Sequence, residues 1–166
     1  MSEQPNKVVP CDIGVIPEPA HSSATLLQTE DFAYLMFNAI RPKPDGQFEN
    51  AGTAIIELVG CGAVKFGAPT EETLPGHPLY ENGLKGHGCA VFEVLASSWV
   101  RHMLAQRRVC FPEERGGQGR HFVFTFHDGT LECVAFELRV KLSREPIERI
   151  FEQLQKRVFR RMQRMR

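Results

Sequence analysis

Residues 121–140, HFVFTFHDGTLECVAFELRV, carry the clearest local pattern in the chain. Apolar and polar side chains alternate on both sides of Asp128-Gly129. This dipeptide between alternating runs is typical of a two-residue type I′ hairpin turn, because glycine tolerates the positive φ that the turn requires. With Asp128 and Gly129 as the turn residues, Thr125 is expected to pair with Glu132. The segment therefore predicts two antiparallel strands.

The alternation assigns the side chains of this hairpin to two faces. The first face is apolar and is expected to lie in the core: Phe122, Phe124, Phe126, Leu131, Cys133 and Ala135. The second face is polar near the turn and more apolar away from it: His121, Val123, Thr125, His127, Glu132, Val134 and Phe136. Either a bulge exchanges the faces or a helix covers part of the second one. In both cases the polar end near the turn is expected to stay open.

Three segments outside the hairpin predict further strands, because apolar and β-branched residues dominate them: FAYLMFNAI (32–40), GTAIIELVG (52–60) and CAVFEVLA (89–96). The segment SWVRHMLAQRR (98–108) predicts an internal helix whose first turn is capped by Ser97 or Ser98. Residues 144–166 predict a C-terminal helix capped by Ser143. Its apolar residues recur at helical spacing, and its acidic residues precede its basic ones, as the helix dipole favours.

These elements predict an α+β fold. We expect a single domain, residues 24–166, built on a mainly antiparallel β-sheet of about five to six strands that could be strongly curled. The internal helix and the C-terminal amphipathic helix 144–166 are expected to pack on this sheet. Residues 1–23 contain four prolines and little apolar periodicity, which predicts an extended or poorly ordered N-terminal arm.

The composition is that of a globular protein in water. The 166 residues are 42% hydrophobic and 24% charged, and the formal net charge is zero, which argues against disorder and against nucleic acid as a partner of the whole protein. Five cysteines occur without a Cys-x-x-Cys pair, which favours reduced, mostly buried thiols. Neither a signal peptide nor an apolar run long enough to span a membrane is apparent, so the sequence predicts a cytoplasmic protein.

A long connection, residues 68–88, contains the segment GHPLYENGLKGHG (76–88). His77 and His87 could bind a metal or a substrate, and the glycines would let backbone approach a ligand closely. Their spacing matches no compact metal motif, however, and tight turns are a sufficient reason for the glycines. We expect this loop to form a site only if it meets the polar end of the hairpin.

The candidate catalytic residues are His77, His87, His127, Glu93 and Glu132. Together with His121 they could supply acid–base groups or a histidine and carboxylate shell for a divalent metal, if they converge in one pocket. Convergence requires the glutamates that interrupt apolar strands, Glu57 and Glu93, to share a face with Glu132. The simpler interpretation is an exposed sheet face with solvated or ion-paired glutamates. No residue pattern identifies a cofactor or a particular metal.

Two other kinds of site have weaker motifs. Cys89 could be a nucleophile beside His87, since a thiolate needs a neighbouring base or cation to react at neutral pH. The chain has neither a Gly-x-Ser-x-Gly elbow nor a phosphate-binding Walker loop. Residues 156–166 include six basic residues and no acidic one, so the end of the C-terminal helix could contact an anionic surface, nucleic acid or a partner's groove.

The sequence favours one function and leaves two alternatives. The favoured one is a small cytosolic binding or interaction domain, with a protein or small-molecule partner docking at the glycine-rich loops and the polar end of the sheet. The first alternative is a small hydrolytic or metal-assisted enzyme that uses the loop and hairpin histidines with a glutamate. The second is contact with an anionic surface or nucleic acid through the basic C-terminal helix.

Overall fold

The computed structural model describes residues 4–166. Its elements follow in chain order: β1 (Lys7–Pro10), β2 (Ile16–Pro17), β3 (Thr25–Gln28), β4 (Ala33–Pro42), β5 (Phe48–Val59), β6 (Ala63–Gly67), β7 (Val91–Leu95), α1 (Ser98–Cys110), β8 (Arg120–Thr125), β9 (Thr130–Ala135), β10 (Glu137–Ser143) and α2 (Ile147–Met165). A 3-10 turn, Leu74–Gly76, and a π turn, Tyr80–Leu84, lie between β6 and β7. The predicted α+β class, with an antiparallel sheet, an internal helix and a C-terminal helix, is confirmed.

The ten strands divide between two antiparallel sheets. The first sheet has the order β1-β7-β8-β9-β6, and the second has the order β10-β5-β4-β2, with β3 also paired to β4. Three connections carry the chain from one sheet to the other: β1 to β2, β5 to β6, and β9 to β10. The last two lie at the same corner, where the Phe136 N–H donates to the Val59 carbonyl oxygen. The sequence predicted about five to six strands in one sheet, whereas the structure has ten strands in two sheets.

The hairpin β8–β9 forms, but its turn differs from the predicted one. Thr125 pairs with Thr130, and Val123 pairs with Glu132, so four residues form the turn instead of two. Neither Asp128 nor Gly129 has a positive φ, and the type I′ prediction was therefore wrong. Gly129 is required for space instead, because a Cβ there would lie 2.9 Å from the carbonyl oxygen of Gly67. A two-residue shift in pairing leaves every side chain on its predicted face.

The core between the sheets contains the predicted apolar face of the hairpin. All six of its side chains are buried there against residues of β4 and β5: Leu35, Phe37, Ala54, Ile56 and Leu58. The Phe37 ring lies 6.3 Å from Phe124 and 5.7 Å from Phe126, in the tilted geometry that aromatic pairs prefer.

The outer face of each sheet is also covered. On the second sheet, α2 buries Ile147, Ile150, Leu154 and Val158 against Tyr34 and Met36. On the first sheet, residues 68–88 form a cover segment that buries Leu74, Leu79 and Leu84 against Val8, Phe92, Val94 and Val123. The long connection is therefore a packed layer over one part of the second hairpin face, and α1 lies over another part, where Trp99 packs against His121.

The two ends of the chain differ from expectation in detail. The predicted arm, residues 1–23, includes β1 and β2, which pair with β7 and β4, so two short parts of it belong to the sheets; residues 1–3 lie outside the described residues. The C-terminal helix begins at Ile147 after Pro146, and Ser143 ends β10 instead of capping the helix. Ser97 caps α1 as predicted, because its Oγ accepts a hydrogen bond from the Val100 N–H.

All five cysteines are unpaired: Cys89 and Cys133 are buried, Cys11 and Cys61 are half-buried, and Cys110 is exposed. Among residues 4–166, no helix combines the length and the apolar character needed to cross a membrane.

Candidate functional site

A carboxylate held between two imidazoles lies where the cover segment meets the first sheet. Glu132 on β9 places one oxygen 3.1 Å from His77 Nε2 and the other 2.8 Å from His121 Nε2. His121 lies on β8, and its Nδ1 is 2.9 Å from Ser97 Oγ at the start of α1. We call these four residues the Glu132 network. It joins the cover segment, two strands and a helix at one point.

The hydrogen bonds determine the proton position on His77. The Leu79 N–H donates to His77 Nδ1 at 3.0 Å, so that nitrogen carries no proton and Nε2–H donates to Glu132. His121 Nε2–H donates to the other oxygen of Glu132, and the Ser97 hydroxyl lies within hydrogen-bond distance of His121 Nδ1. Glu132 therefore accepts one hydrogen bond on each oxygen.

The network is almost closed to solvent. His77 and His121 are 6% and 3% exposed, and the edge of His121 packs against Trp99 with 5.1 Å between ring centroids. The Lys65 ammonium lies 3.9 Å from the centre of the Trp99 ring. Burial alone would raise the pKa of Glu132, but hydrogen bonds from His121 and His77 outweigh it and hold this pKa well below its ordinary value. The carboxylate is therefore ionised at neutral pH.

The order hydroxyl, imidazole, carboxylate is also that of a catalytic triad, in which a base activates a serine for attack. Ser97 does not meet the geometric requirement for a nucleophile in this structure. It is 6% exposed, and its oxygen already accepts the Val100 N–H at 3.2 Å while facing His121. The network therefore fastens α1 and the cover segment to the first sheet, and it does not present a reactive group to a ligand.

The convergence that the enzyme alternative requires is only partial: His77 and His121 meet Glu132, whereas His87, His127 and Glu93 lie elsewhere. His87 is exposed and packs its ring edge on Phe92 at 5.4 Å. His127 is exposed at the hairpin turn, where its Nδ1 lies 2.9 Å from a carboxylate oxygen of Glu71 in the cover segment. The loop therefore meets the hairpin at several points. Besides the contacts of His77 and Glu71, the buried Thr130 and Thr125 hydroxyls donate to the carbonyl oxygens of Pro69 and Gly88.

The other glutamates do not share a face with Glu132. Glu93 pairs with Phe122 on the core side of the first sheet and accepts two hydrogen bonds from Arg120, at 2.8 and 2.7 Å. Glu57 lies in the second sheet, 3.3 Å from the Tyr34 hydroxyl. The patch of three carboxylates does not form, because Glu93 lies on the opposite face of the first sheet from Glu132 and Glu57 lies in the second sheet.

Two further chemical possibilities can be compared with the structure. Cys89 is buried, and burial raises the pKa of its thiol to about 11, so it is a neutral thiol at physiological pH. Within residues 4–166, no set of three or more histidine, cysteine, aspartate or glutamate side chains is arranged to hold a metal ion.

A cleft of about 580 Å³ lies between α1, the loop that follows it and the corner where the chain changes sheets. Its apolar lining consists of Val100, Met103, Leu104, Phe111, Val134 and Phe136. Its charged lining consists of Arg107, Arg108, Glu114 and Arg115, and glycines at 60, 62, 116, 117 and 119 complete it. A Cβ at Gly119 would lie 2.6 Å from the Val134 side chain, so the glycine permits the close approach of loop and strand.

The charges around this cleft are not balanced. Arg107 donates to Glu114, with 2.7 Å between Nη2 and Oε1, and these two charges cancel. Arg108 and Arg115 have no ion-pair or hydrogen-bond partner among residues 4–166. Phe111 and Phe136 are 58% and 53% exposed beside them. The cleft thus combines exposed aromatic rings with two uncompensated positive charges.

The sequence did not indicate the cleft, although the loop that follows α1, residues 111–120, is rich in glycine. The signal that was present is the pairing of aromatic, arginine and glycine residues in FPEERGGQGR. What the sequence lacked is the packing of this loop against α1 and the corner after β9, which are distant in the chain. No family model, no curated protein and no solved structure matches this chain.

Acidification is expected to destabilise the protein through Glu132. Because its pKa in the folded state lies below the ordinary value of 4.5, the ionised carboxylate stabilises the fold above that pH, and this contribution is lost as the pH falls below it. The free energy of unfolding in urea should fall more between neutral pH and about pH 3.5 for the parent protein than for Glu132→Gln, whose amide does not titrate in this range. Equal decreases in the free energy of unfolding of the two proteins would show that folding does not lower the pKa of Glu132.

Proposed function

We propose that this protein is a small-molecule binding domain whose cleft takes an amphipathic anion, with an apolar body and one acidic headgroup. The observation that carries the proposal is the placement of Arg108 and Arg115, both without an acidic partner among the described residues, beside exposed aromatic rings in one cleft. Arginine forms forked hydrogen bonds with carboxylate and phosphate groups. An anion with an apolar body would use both parts of the lining.

The size of the cleft supports a small ligand. A volume of about 580 Å³ falls within the roughly 300–1,000 Å³ of sites for small molecules and cofactors. Burial of an apolar ligand against Met103, Leu104 and Phe136 would contribute about 25 cal/mol per Å² of surface removed from water. The two guanidinium groups would orient the ligand by its acidic end.

The Glu132 network has a supporting role in this proposal. Val100 connects the two regions, because its backbone N–H is bound by Ser97 while its side chain lines the cleft. Ser97 is in turn held by His121. A side chain fixed in this way on a helix gives a binding site more precise geometry than a loop alone would. The network therefore sets the position of one wall of the cleft.

A matched pair of fluorescent probes can test the proposal. Anilinonaphthalene sulfonate has apolar rings and an acidic group, whereas N-phenylnaphthylamine has the same rings and no charge. The parent protein is expected to bind the sulfonate at least about tenfold more tightly, since a charge-assisted hydrogen bond contributes about 1.5–3 kcal/mol. The double variant Arg108→Ala/Arg115→Ala should lose that preference. Arg144→Ala, which removes an exposed arginine outside the cleft, should retain it.

Two results would contradict the proposal. Equal affinity for both probes would show that the arginines do not select a charged headgroup. Unchanged sulfonate binding by the double variant would place the anion elsewhere on the protein. Because both arginines are exposed, the double variant is expected to unfold at the parent's urea concentration, which separates a binding effect from a folding defect.

A further inference from the structure

The second half of α2 carries a row of basic side chains without ion-pair partners. Lys156, Arg160 and Arg164 are exposed and follow one another at four-residue spacing, which places them on one side of the helix. None of them has an ion pair within residues 4–166. In the first half of the helix, by contrast, Arg149 lies 3.3 Å from Glu145. The positive charge of α2 is therefore uncompensated only near its end.

Two other arginines of this half have a different role. The Arg157 guanidinium lies 5.5 Å from the Tyr34 ring centre, and that of Arg161 lies 4.5 Å from the Phe32 ring centre. These cation–π contacts attach both side chains to the second sheet. They hold the helix in place, so the basic row is presented by a helix that is fixed on the domain.

An apolar side chain is exposed next to the basic row. Phe159 is 52% exposed, although neighbouring apolar residues of α2 such as Val158 are buried. Helices that lie on membranes combine basic residues with aromatic and aliphatic side chains that enter the boundary between headgroups and acyl chains. Nucleic-acid backbones are bound through charge and need no such apolar contact. The surface formed by Lys156, Phe159, Arg160 and Arg164 thus fits a membrane better than a nucleic acid.

We infer that this surface docks on anionic phospholipid headgroups, with the basic row on the phosphates and Phe159 at the level of the upper acyl chains. The contact is peripheral, because the main apolar stripe of α2 stays buried on the second sheet. It is also electrostatic in large part, so it should weaken as salt screens the charges. This function is independent of ligand binding in the cleft.

Vesicle sedimentation with the full chain tests the inference. Vesicles of phosphatidylcholine containing about 30% phosphatidylglycerol are compared with phosphatidylcholine alone, in low salt and in about 0.15 M salt. The parent protein should bind the anionic vesicles at least about tenfold more tightly. Arg160→Glu/Arg164→Glu should weaken this binding at least about tenfold, since each basic residue near such a surface contributes severalfold to affinity. Phe159→Ser should weaken it about threefold or more.

A matched charge reversal provides the control. Lys141→Glu/Arg144→Glu changes the net charge by the same amount on exposed residues that precede α2. Binding should stay within about twofold of the parent, because about 14 Å or more of helix lies between the start of α2 and the basic row. An equal loss in both double variants would overturn the inference, since net charge alone would then explain the effect. Tighter binding to a short DNA duplex than to anionic vesicles would also overturn it, in favour of nucleic acid.

Discussion

Replacing Glu132 by alanine is expected to lower the free energy of unfolding by about 2–5 kcal/mol. The substitution removes the acceptor of two buried N–H groups, on His77 and His121, and the cost of leaving a buried donor unpaired is about 1–3 kcal/mol for each. Urea unfolding followed by circular dichroism measures the loss. Amide hydrogen exchange should also become faster at Leu79 and Val100, whose N–H groups depend on the network.

The matched variants of this experiment separate charge from hydrogen bonding. Glu132→Gln should cost less, about 1–2 kcal/mol, because the amide oxygen can accept from His77 while the amide N–H donates to His121. That arrangement requires His121 to carry its proton on Nδ1, facing Ser97, so that Nε2 can accept. His77 could not make the same change, because a proton on its Nδ1 would displace the hydrogen bond from the Leu79 N–H. Glu137→Ala, an exposed glutamate on β10, should change stability by less than about 0.5 kcal/mol. An alanine at position 132 with equally small effect would refute the buried network.

Ending the chain at Gln155 is expected to destabilise the domain by about 3–5 kcal/mol, from the lost burial of Val158 and Met162 on the second sheet. Val158 is 1% exposed, so packing continues well past the first half of the helix. The sequence left open whether residues 156–166 are core or partner-binding, and this stretch contains both kinds of residue. Thermal and urea unfolding would measure the loss.

A shorter truncation is the control. Ending the chain at Gln163 removes Arg164, Met165 and Arg166, all of which are exposed, and should change the free energy of unfolding by less than about 0.5 kcal/mol. Similar stability of the two truncated chains would mean that Val158 and Met162 are not part of the core. The difference between the two measures the contribution of residues 156–163.

The sequence predicted the sheet face on which each side chain lies better than it predicted which residues pair across the strands. The alternation in residues 121–136 placed every side chain of β8 and β9 on the correct face, because parity survives a two-residue shift in register. The predicted turn type was wrong, because the sequence does not show whether the glycine of Asp-Gly adopts a positive φ or only leaves space for a neighbouring strand. The division into two sheets was also missed, since the corners after β5 and β9 leave no periodic signal.

The site was predictable only in part for a related reason. His77 and Glu132 were named as candidates, but the residues that complete their surroundings, Ser97 and Trp99, looked like an ordinary helix start. Their role depends on α1 packing against β8, which is a tertiary contact between segments 24 residues apart. The cleft depends on three elements in the same way. Local patterns identify reactive residue types, and packing decides which of them meet.

The Glu132 network also has a consequence for the order of folding. Its hydrogen bonds span 11, 24 and 55 residues, so the hairpin β8–β9 can pair early while the bond from His77 must await closure of a much longer loop. Contacts that form after the rate-limiting step slow unfolding more than they accelerate folding. We therefore expect loss of the bond between His77 and Glu132 to accelerate unfolding more than it slows folding, which stopped-flow refolding and unfolding of His77→Ala in urea would measure.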